Sequence, residues 1–196
     1  MTKGKNFSAN NASGKRREAD FYETPYSLTR LLLQKITPLK GMSVLEPSCG
    51  NGAIVKVLKE EGFKNITAYD LKDGTDFLQE TRQFDLIYGN PPYSKAFEFI
   101  QKAKRVARHG FYYLLPLSYL HGKQRYDEIY NRHDDYRLKH VFVFTRYPML
   151  GEPLREDGKI HTGFIVFAWF HWVEGYDGQP SIDFLDNHPY ILKKGE

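Results

Sequence analysis

The chain has 196 residues, 15% of them aromatic, with a net charge of +4 at pH 7 and one cysteine. This length favours one domain with its own core, the lone cysteine excludes an internal disulfide, and the seven scattered histidines lack zinc-site spacing, so no metal is expected. Because no apolar run is long enough to span a membrane and no apolar leader is present, we expect a cytoplasmic protein with no membrane contact.

The first predicted segment is a basic tail over residues 1–19. Residues 1–17 contain five cations and no acid, so the rest of the chain sums to −1. A composition of Asn, Ser, Gly, Lys and Arg predicts disorder here, followed by a single domain over residues 20–196. Basic tails contact nucleic acid in some proteins and are only solvated in others, and both interpretations stay open.

A helix is predicted to follow the tail. Thr24 is a plausible N-cap, Pro25 suits the first helical turn, and apolar residues continue at helical spacing until Pro38. The domain therefore begins with a helix that packs on whatever sheet follows.

A short strand, a glycine loop and a helix come next, at residues 43–46, 47–52 and 53–61. This order indicates the front of an open α/β sheet, in which the loop and the helix N-terminus face a ligand. It is not a phosphate loop, because no Gly-Lys-Ser/Thr follows, and Val55 occupies the third glycine position of the dinucleotide fingerprint.

The next predicted strand, 65–70, ends in an acid. Asp70 lies 18 residues after Gly52, close to the spacing at which a carboxylate binds ribose hydroxyls. An ordinary surface aspartate at a strand end is the alternative. Asp76 and Phe77 follow after only a short interval.

The central predicted strand, 84–89, leads into Asn90-Pro91-Pro92-Tyr93. Prolines fix φ and lack an N–H, so the carbonyls beside the Asn90 amide have no competing backbone donor. An exocyclic amine conjugated to a base is a poor nucleophile, and it can attack once Asn90 Oδ1 and the Pro91 carbonyl accept its two protons. Tyr93 offers a ring on which an extruded base can stack. An Asn-Pro turn that merely ends a strand is the alternative.

The remaining elements alternate between helices and strands. The pattern predicts a helix at 94–108, a strand at 111–115, a partly helical segment at 117–134, and strands at 138–144, 163–172 and 181–185. Residues 145–162 form a long hairpin connection, of the kind that often has a functional role.

Together these motifs resemble the S-adenosylmethionine-dependent amino-methyltransferases with an Asn-Pro-Pro-Tyr motif, most of all small phage-type DNA N6-adenine methyltransferases. The resemblance covers residues 20–172. It implies a Rossmann-like class I methyltransferase fold of the α/β class, with a mostly parallel sheet, one antiparallel strand at 163–172, and flanking helices. It also implies S-adenosylmethionine as cofactor and DNA as partner, with RNA not excluded and no metal needed.

The resemblance assigns roles to individual residues. It makes the tetrapeptide catalytic: Asn90, Pro91, Pro92 and Tyr93. It implies a cofactor site from five motifs: Phe21, Tyr22, Thr24 and Pro25; Glu46, Pro47, Cys49, Gly50 and Gly52; Asp70 at the ribose; Asp76 and Phe77 at the adenine; and Asn90. The distribution of cations predicts nucleic-acid contacts in the tail, in 117–134 and in 145–162: Lys15, Arg16, Arg17, Lys123, Arg125, Arg146, Arg155 and Lys159.

Two departures from the family pattern stand out. Only five residues separate Asp70 from Asp76, where the family fits a helix and a strand, so we expect a shortened sheet edge. No segment has room for a separate target-recognition domain, which favours short and loose sequence selection.

Two other functions remain open. A protein N5-glutamine methyltransferase faces the same conjugated nitrogen and uses the same tetrapeptide, although the Glu46-Pro47 start of the loop and the basic tail argue against it. The second is an inactive nucleic-acid-binding module on a methyltransferase fold, against which the intact motifs argue.

Overall fold

The computed structural model describes residues 23–37, 40–131, 135–146 and 165–191. In these residues a central sheet has helices on both faces. Its strands are β1 Val44–Glu46, β2 Ile66–Ala68, β3 Phe84–Gly89, β4 Ala107–Pro116, β5 Tyr136–Phe144, β6 Phe167–Glu174 and β7 Ser181–Leu185. The α-helices are α1 Tyr26–Lys35, α2 Ala53–Glu60, α3 Ala96–Val106, α4 Lys123–Arg125 and α5 His188–Ile191. A π-helical turn, Tyr126–Tyr130, continues α4.

The strands form one sheet in the order β2-β1-β3-β4-β6-β5-β7. Strands β1 to β4 are mutually parallel, β6 is antiparallel to both β4 and β5, and β7 pairs in parallel with β5. This confirms the predicted class I architecture with one antiparallel strand. The carboxyl ends of β1, β2, β3 and β4 therefore meet at a single edge of the sheet, called the C-terminal edge below.

The sheet is short on the β2 side, as the close spacing of the two acids predicted. Between β2 and β3 the chain makes only two 3-10 turns, Leu71–Asp73 and Phe77–Gln79, and β2 is left as the edge strand. The chain therefore returns to the centre of the sheet without the usual crossover helix.

Two apolar cores lie on the two faces of the sheet. One contains α3 side chains such as Phe99 together with Phe111 and Trp172, and the other contains α1 and α2 side chains packed on Trp169. Strand β4 is apolar on both faces, which is typical of a strand covered by helices on each side. Trp169 also donates its indole N–H to the Leu28 carbonyl at 3.1 Å, which fixes α1 against the sheet.

The predicted boundary between α3 and β4 is wrong. The helix ends at Val106 rather than at residue 108, and Ala107 is already extended, with φ −81° and ψ 146°. Ala107 pairs with Phe84 of β3, so tertiary pairing overrides a locally helical composition. As a result β4 is ten residues long and covers more than the predicted 111–115. Within the described residues, no helix is long and apolar enough to cross a membrane.

Candidate active site

The loops after β1, β2 and β3 converge at the C-terminal edge, where ligands bind in open α/β sheets. The glycine loop follows β1, and two of its glycines, Gly50 and Gly52, adopt left-handed φ values of 52° and 80°. These values favour glycine because a Cβ would be strained. A Cβ built on Gly52 would meet nothing within 4 Å, so the space beside the start of α2 is open.

Asp70 joins the second loop to the first. Its Oδ2 accepts from the Gly50 amide at 2.8 Å, and its Oδ1 accepts from the Lys72 amide at 3.1 Å, which caps a 3-10 turn. Lys72 reaches back and donates its Nζ to the Gly50 carbonyl at 2.6 Å. Each carboxylate oxygen of Asp70 keeps a second lone pair for a further donor.

Glu46 is the most buried acid of the site. It lies at the end of β1, is 2% exposed, and accepts from the Val55 amide at 3.2 Å in the first turn of α2. Burial raises the pKa of Glu46 to about 8; the Val55 amide opposes this rise, and the charge of Asp70 adds to it. At neutral pH this carboxyl is therefore mainly protonated in the free protein.

Asn90 is held from two directions. Its Nδ2 donates to Thr24 Oγ1 at 3.1 Å, and its main-chain carbonyl accepts from Ser48 Oγ at 3.3 Å. The prediction of Thr24 as an N-cap is wrong: Pro25 occupies the cap position, and its carbonyl accepts from Leu28 N at 3.1 Å. Thr24 is buried, and its hydroxyl accepts from the side chain of Asn90 instead of capping the helix.

Tyr93 is partly buried between the two cores and begins a 3-10 turn, Tyr93–Lys95. Its ring lies 5.6 Å, centroid to centroid, from the ring of Phe167 at the start of β6. Before it, Gly89 brings the chain close to Tyr113, whose Cε1 would lie 3.2 Å from an added Cβ. The tetrapeptide thus leaves the sheet at its tightly packed centre.

The two predicted adenine-reading residues differ in exposure. Asp76 is partly exposed and caps a 3-10 turn by accepting from Leu78 N at 2.9 Å. Phe77 is only 1% exposed and packs on Phe99 with ring centroids 4.9 Å apart, so it belongs to the core, and its contact with a cofactor base stays a prediction. Cys49 is partly exposed, and burial raises the pKa of its thiol, which therefore stays neutral.

Comparisons with known proteins agree with this geometry. No protein-family model matches the chain. A segment of 82 residues is 34% identical to the type II methyltransferases M.HincII and M.HindII of Haemophilus influenzae, and it covers 36% of this chain and 16% of each relative. The chain thus matches only about one sixth of the length of these curated relatives. The match confirms the predicted similarity to such methyltransferases.

Solved structures match most of the chain at low sequence identity. A candidate RNA methyltransferase of Pyrococcus horikoshii superposes with a TM-score of 0.61 at 13% identity, over 87% of this chain and 94% of that one. A candidate class I S-adenosylmethionine-dependent methyltransferase of Listeria monocytogenes gives 0.58 at 13% identity, over 86% and 68%. The M protein of the type I restriction enzyme EcoKI gives 0.56 at 12% identity, over 84% and 48%.

The fold is that of the class I S-adenosylmethionine-dependent methyltransferases. In this methyltransferase fold the predicted cations at 123 and 125 lie on α4, which follows β4. Lys123 pairs with Asp127 at 2.5 Å, and Arg125 donates to the His121 carbonyl while its guanidinium lies 4.7 Å from the centroid of the Tyr119 ring. Both cations are therefore held in place by neighbours on the same segment.

Arg146 is exposed at the end of β5, and its amide donates to Asn187 Oδ1 at 2.9 Å. The other predicted contacts cannot be compared with the structure. Seven of those residues lie outside the described part of the chain: Lys15, Arg16, Arg17, Phe21, Tyr22, Arg155 and Lys159.

Several residues at the edge of the methyltransferase fold were not predicted from the sequence. Ser48 and Lys72 brace the loops. Ser48 lies inside the glycine loop but was not predicted as a site residue, and Lys72 matches no motif. Leu71 is 62% exposed directly after Asp70, and Lys95 is exposed two residues after Tyr93. Leu71 could have been noticed from the sequence, because it is a large apolar residue next to the candidate ribose acid and belongs to no helical or strand pattern.

A separate cleft of about 380 Å³ opens beside the C-terminal end of α1, whereas the candidate active site lies near its N-terminal end. Four rings in register line it, one from each of four neighbouring strands: Tyr88, Tyr112, His171 and His140. None of the predicted site residues lines this cleft. In the described part of the chain, no group of three or more His, Cys, Asp or Glu side chains is placed to hold a metal ion.

Proposed function

We propose that the chain is an S-adenosylmethionine-dependent methyltransferase that methylates the exocyclic N6 of adenine in DNA. The observation that carries the proposal is the position of Asn90. It follows the central strand, its amide is held by Thr24, and its main chain is bonded to Ser48 of the glycine loop. This arrangement places the Asn90 amide beside a loop suited to a cofactor. The Pro92 carbonyl accepts from the Lys95 amide at 2.8 Å, contrary to the expectation that it has no backbone donor, so the Pro91 carbonyl is the one assigned to the substrate.

The residues present fit S-adenosylmethionine, which supplies an activated methyl group when bound. The open glycine loop suits its amino-acid end, with Glu46 beneath it as the acid for an ammonium group. Asp70 has acceptor capacity left for ribose hydroxyls. Leu71, exposed next to Asp70, offers an apolar surface for the adenine, and Asp76 an acceptor for its amine.

The tetrapeptide then prepares the target amine. Asn90 Oδ1 and the Pro91 carbonyl accept the two N–H groups, which draws the nitrogen lone pair out of conjugation with the ring. Fixed dipoles aimed at the positive charge that develops on nitrogen stabilise the transition state, as oxyanion-hole donors do for negative charge. Tyr93 stacks on the extruded base and fixes the distance of approach. No general base is needed before the attack, because the nitrogen loses its extra proton to solvent only after it has received the methyl group.

DNA is the preferred substrate on the strength of the sequence similarity. The relatives at 34% identity are type II methyltransferases, and the M protein of a type I restriction enzyme shares the fold. The likeness to a candidate RNA methyltransferase is one of fold at 13% identity. An RNA product or a methylated glutamine is therefore an outcome that the test must be able to detect.

The test is transfer of tritiated methyl from S-adenosylmethionine to duplex DNA, single-stranded DNA, RNA and a release-factor-like protein, with analysis of the methylated product. We expect N6-methyladenine from DNA. Asn90→Ala should lower turnover by roughly 10²-fold or more, the scale of losing one preorganised partner in the transition state, and leave cofactor affinity nearly unchanged.

Asn131→Ala is the matched control, because Asn131 is exposed at the end of the π-helical turn, outside the candidate site. It should retain wild-type turnover. Recovery of methylglutamine alone, or full activity of Asn90→Ala on DNA, would show that the proposed function or its catalytic residue is wrong.

A further inference from the structure

The C-terminal edge is divided by charge. Acids predominate at the ends of β1 and β2, on the proposed cofactor side, with Lys72 as a cation among them: Glu46, Asp70, Asp73 and Asp76. Cations lie after β3, β4 and β5, on the side of the catalytic tetrapeptide: Lys95, Lys123, Arg125 and Arg146. Acids occur there as well: Asp127 pairs with Lys123, Glu128 follows it on the same turn, and Asp186 accepts from Thr145. Such exposed pairs contribute little stability, so Lys123 can exchange its partner.

The strands that precede these cations end at one level of the sheet. Ala168 of β6 pairs with Leu115 of β4 and with Val143 of β5, so the ends of β4 and β5 are aligned. The catalytic tetrapeptide touches the same level, because the ring of Tyr93 packs on Phe167, next to Ala168. The segments that follow β3, β4 and β5 therefore border a common surface beside Tyr93.

Exposed apolar side chains accompany the cations. Leu120 is 40% exposed and Tyr126 is 54% exposed, and both belong to the segment after β4. Lys123 Nζ lies 5.9 Å from the centroid of the Tyr126 ring. An exposed ring beside cations is the combination with which proteins bind nucleic-acid strands, where the ring stacks on bases and the cations meet phosphates.

We propose that this surface, the substrate rim, binds the DNA strand on either side of the methylated base. The substrate rim comprises Lys95, Leu120, Lys123, Arg125, Tyr126 and Arg146. The proposal rests on the proposed function and names the part of the described chain that holds its substrate. The cations contact phosphates next to the target, and Tyr126 stacks on a neighbouring nucleotide. Phosphate and stacking contacts do not read sequence, so the rim contributes affinity and register.

The chain offers matched controls for this proposal. Lys139 and Tyr176 form a second lysine-over-tyrosine pair, with Nζ 5.4 Å from the ring centroid. They lie near the start of β5 and after the end of β6, at the edge of the sheet opposite the substrate rim. Lys59 and Arg105 are exposed cations in the last turns of α2 and α3, which run towards that opposite edge.

The first experiment measures binding of a short duplex DNA across a range of salt concentrations. Lys95→Ala and Arg125→Ala should each reduce the log–log salt slope by about 1 and weaken binding roughly five- to tenfold near 0.1 M salt. Lys59→Ala and Arg105→Ala remove the same charge from the opposite edge and should leave the slope unchanged. Equal losses at both edges would overturn the proposal, because they would reflect net charge alone.

The second experiment separates stacking from charge. Tyr126→Ala should weaken binding of single-stranded DNA about tenfold with an unchanged salt slope, whereas Tyr176→Ala should have no effect. Tyr126→Phe keeps a ring and should restore most of the affinity. If Tyr126→Ala binds as tightly as Tyr176→Ala, Tyr126 does not contact the strand.

The wild-type methylation assay distinguishes failure of the rim from failure of the function. If the wild-type chain methylates DNA and the rim variants behave like their controls, the substrate rim is wrong and the proposed function stands. If the wild-type chain binds S-adenosylmethionine but methylates only RNA or protein, the proposed function is wrong, and the rim as a DNA surface fails with it.

Discussion

The Thr24 hydroxyl accepts a hydrogen bond from the side-chain amide of Asn90, the proposed catalytic residue, at 3.1 Å from Nδ2. Thr24→Val keeps the shape of the side chain and removes this hydrogen bond, so we expect the Asn90 amide to lose its fixed orientation. Turnover should fall about tenfold, the scale of one hydrogen bond, while the dissociation constant of S-adenosylmethionine stays the same. Steady-state kinetics and calorimetry measure the two quantities.

Thr24→Ser is the control, because it retains the hydroxyl and should recover most of the turnover. The sequence predicted Thr24 as a cofactor contact instead. If Thr24→Val weakens cofactor binding and leaves turnover intact, Thr24 contacts the cofactor, as the sequence predicted, and does not position Asn90.

Glu46 should make cofactor binding depend on pH. Burial raises the pKa of Glu46 to about 8, so the free protein holds this carboxyl protonated below that pH. A cofactor ammonium beside it favours the carboxylate, so binding releases a proton. The affinity for S-adenosylmethionine should therefore rise between about pH 6 and pH 7.5, with a slope approaching one log unit per pH unit.

Calorimetry in buffers of different ionisation enthalpy measures the released proton directly. Glu46→Gln cannot release it, so its affinity should be lower and flat over the same pH range. A wild-type affinity that falls as pH rises through this range would contradict a protonated Glu46 in the free protein.

Among the elements, the row of rings on β3, β4, β6 and β5 should determine part of the response of stability to acid. Burial first, and then the charges of His140 and Lys139, lower the pKa of His171 to about 3. Because the folded pKa lies below the ordinary value of 6.5, the unfolded chain takes up this proton first. The stability from the neutral ring is complete above about pH 6.5 and is lost as pH falls towards 3.

His171→Phe keeps a ring that can stack on Tyr112, whose centroid lies 3.9 Å away, but it cannot be protonated. Urea unfolding at about pH 7.5 and pH 5 should show a larger loss of stability for the wild type than for this variant. The comparison uses the difference between two pH values, so a constant cost of the substitution cancels. Equal losses of stability in the wild type and the variant would show that other groups cause the acid sensitivity.

Much of the element order could be predicted because each element has a local pattern. The residues after Pro25 have helical spacing, the loop after β1 contains two glycines, and β6 is a nearly continuous apolar run. The α3 to β4 boundary had no such signal, since Ala107 and Arg108 suit a helix as well as a strand. Pairing of Ala107 with Phe84 decides the boundary, and that partner is remote in sequence.

The convergence of the candidate-site loops could be predicted to the same extent. Asp70 and Asn90 meet at one edge because loops after parallel strands converge there, and this follows from element order alone. The hydrogen bond from Asn90 to Thr24 joins residues 66 positions apart, so a local preference for threonine at helix starts suggested the wrong role. The burial of Phe77 likewise depends on its packing against Phe99, a partner that the residues next to Phe77 in sequence do not indicate.

At the scale of the whole molecule, charge is separated between the tail and the body. Residues 1–17 hold five cations and no acid, and the remainder sums to −1. A nearly neutral body cannot attract DNA over long distances, so the affinity of the proposed enzyme must come from local cations such as Lys95 and Arg125, from the tail, or from both. Salt dependence separates these sources, because each phosphate contact adds about 0.9 to the slope.

Deleting residues 1–17 should therefore lower the log–log salt slope of DNA binding. Five contacts made at once would remove roughly 4 to 5 units, and a tail that samples many positions should remove about 1 to 3. A full-length variant with its five tail cations changed to glutamine is the control for chain length and should reproduce the deletion. Where Lys95 and the tail contact different phosphates, combining Lys95→Ala with the deletion should add the two losses. An unchanged slope in both tail variants would show that the tail is only solvated, and the substrate rim would then have to account for the salt dependence by itself.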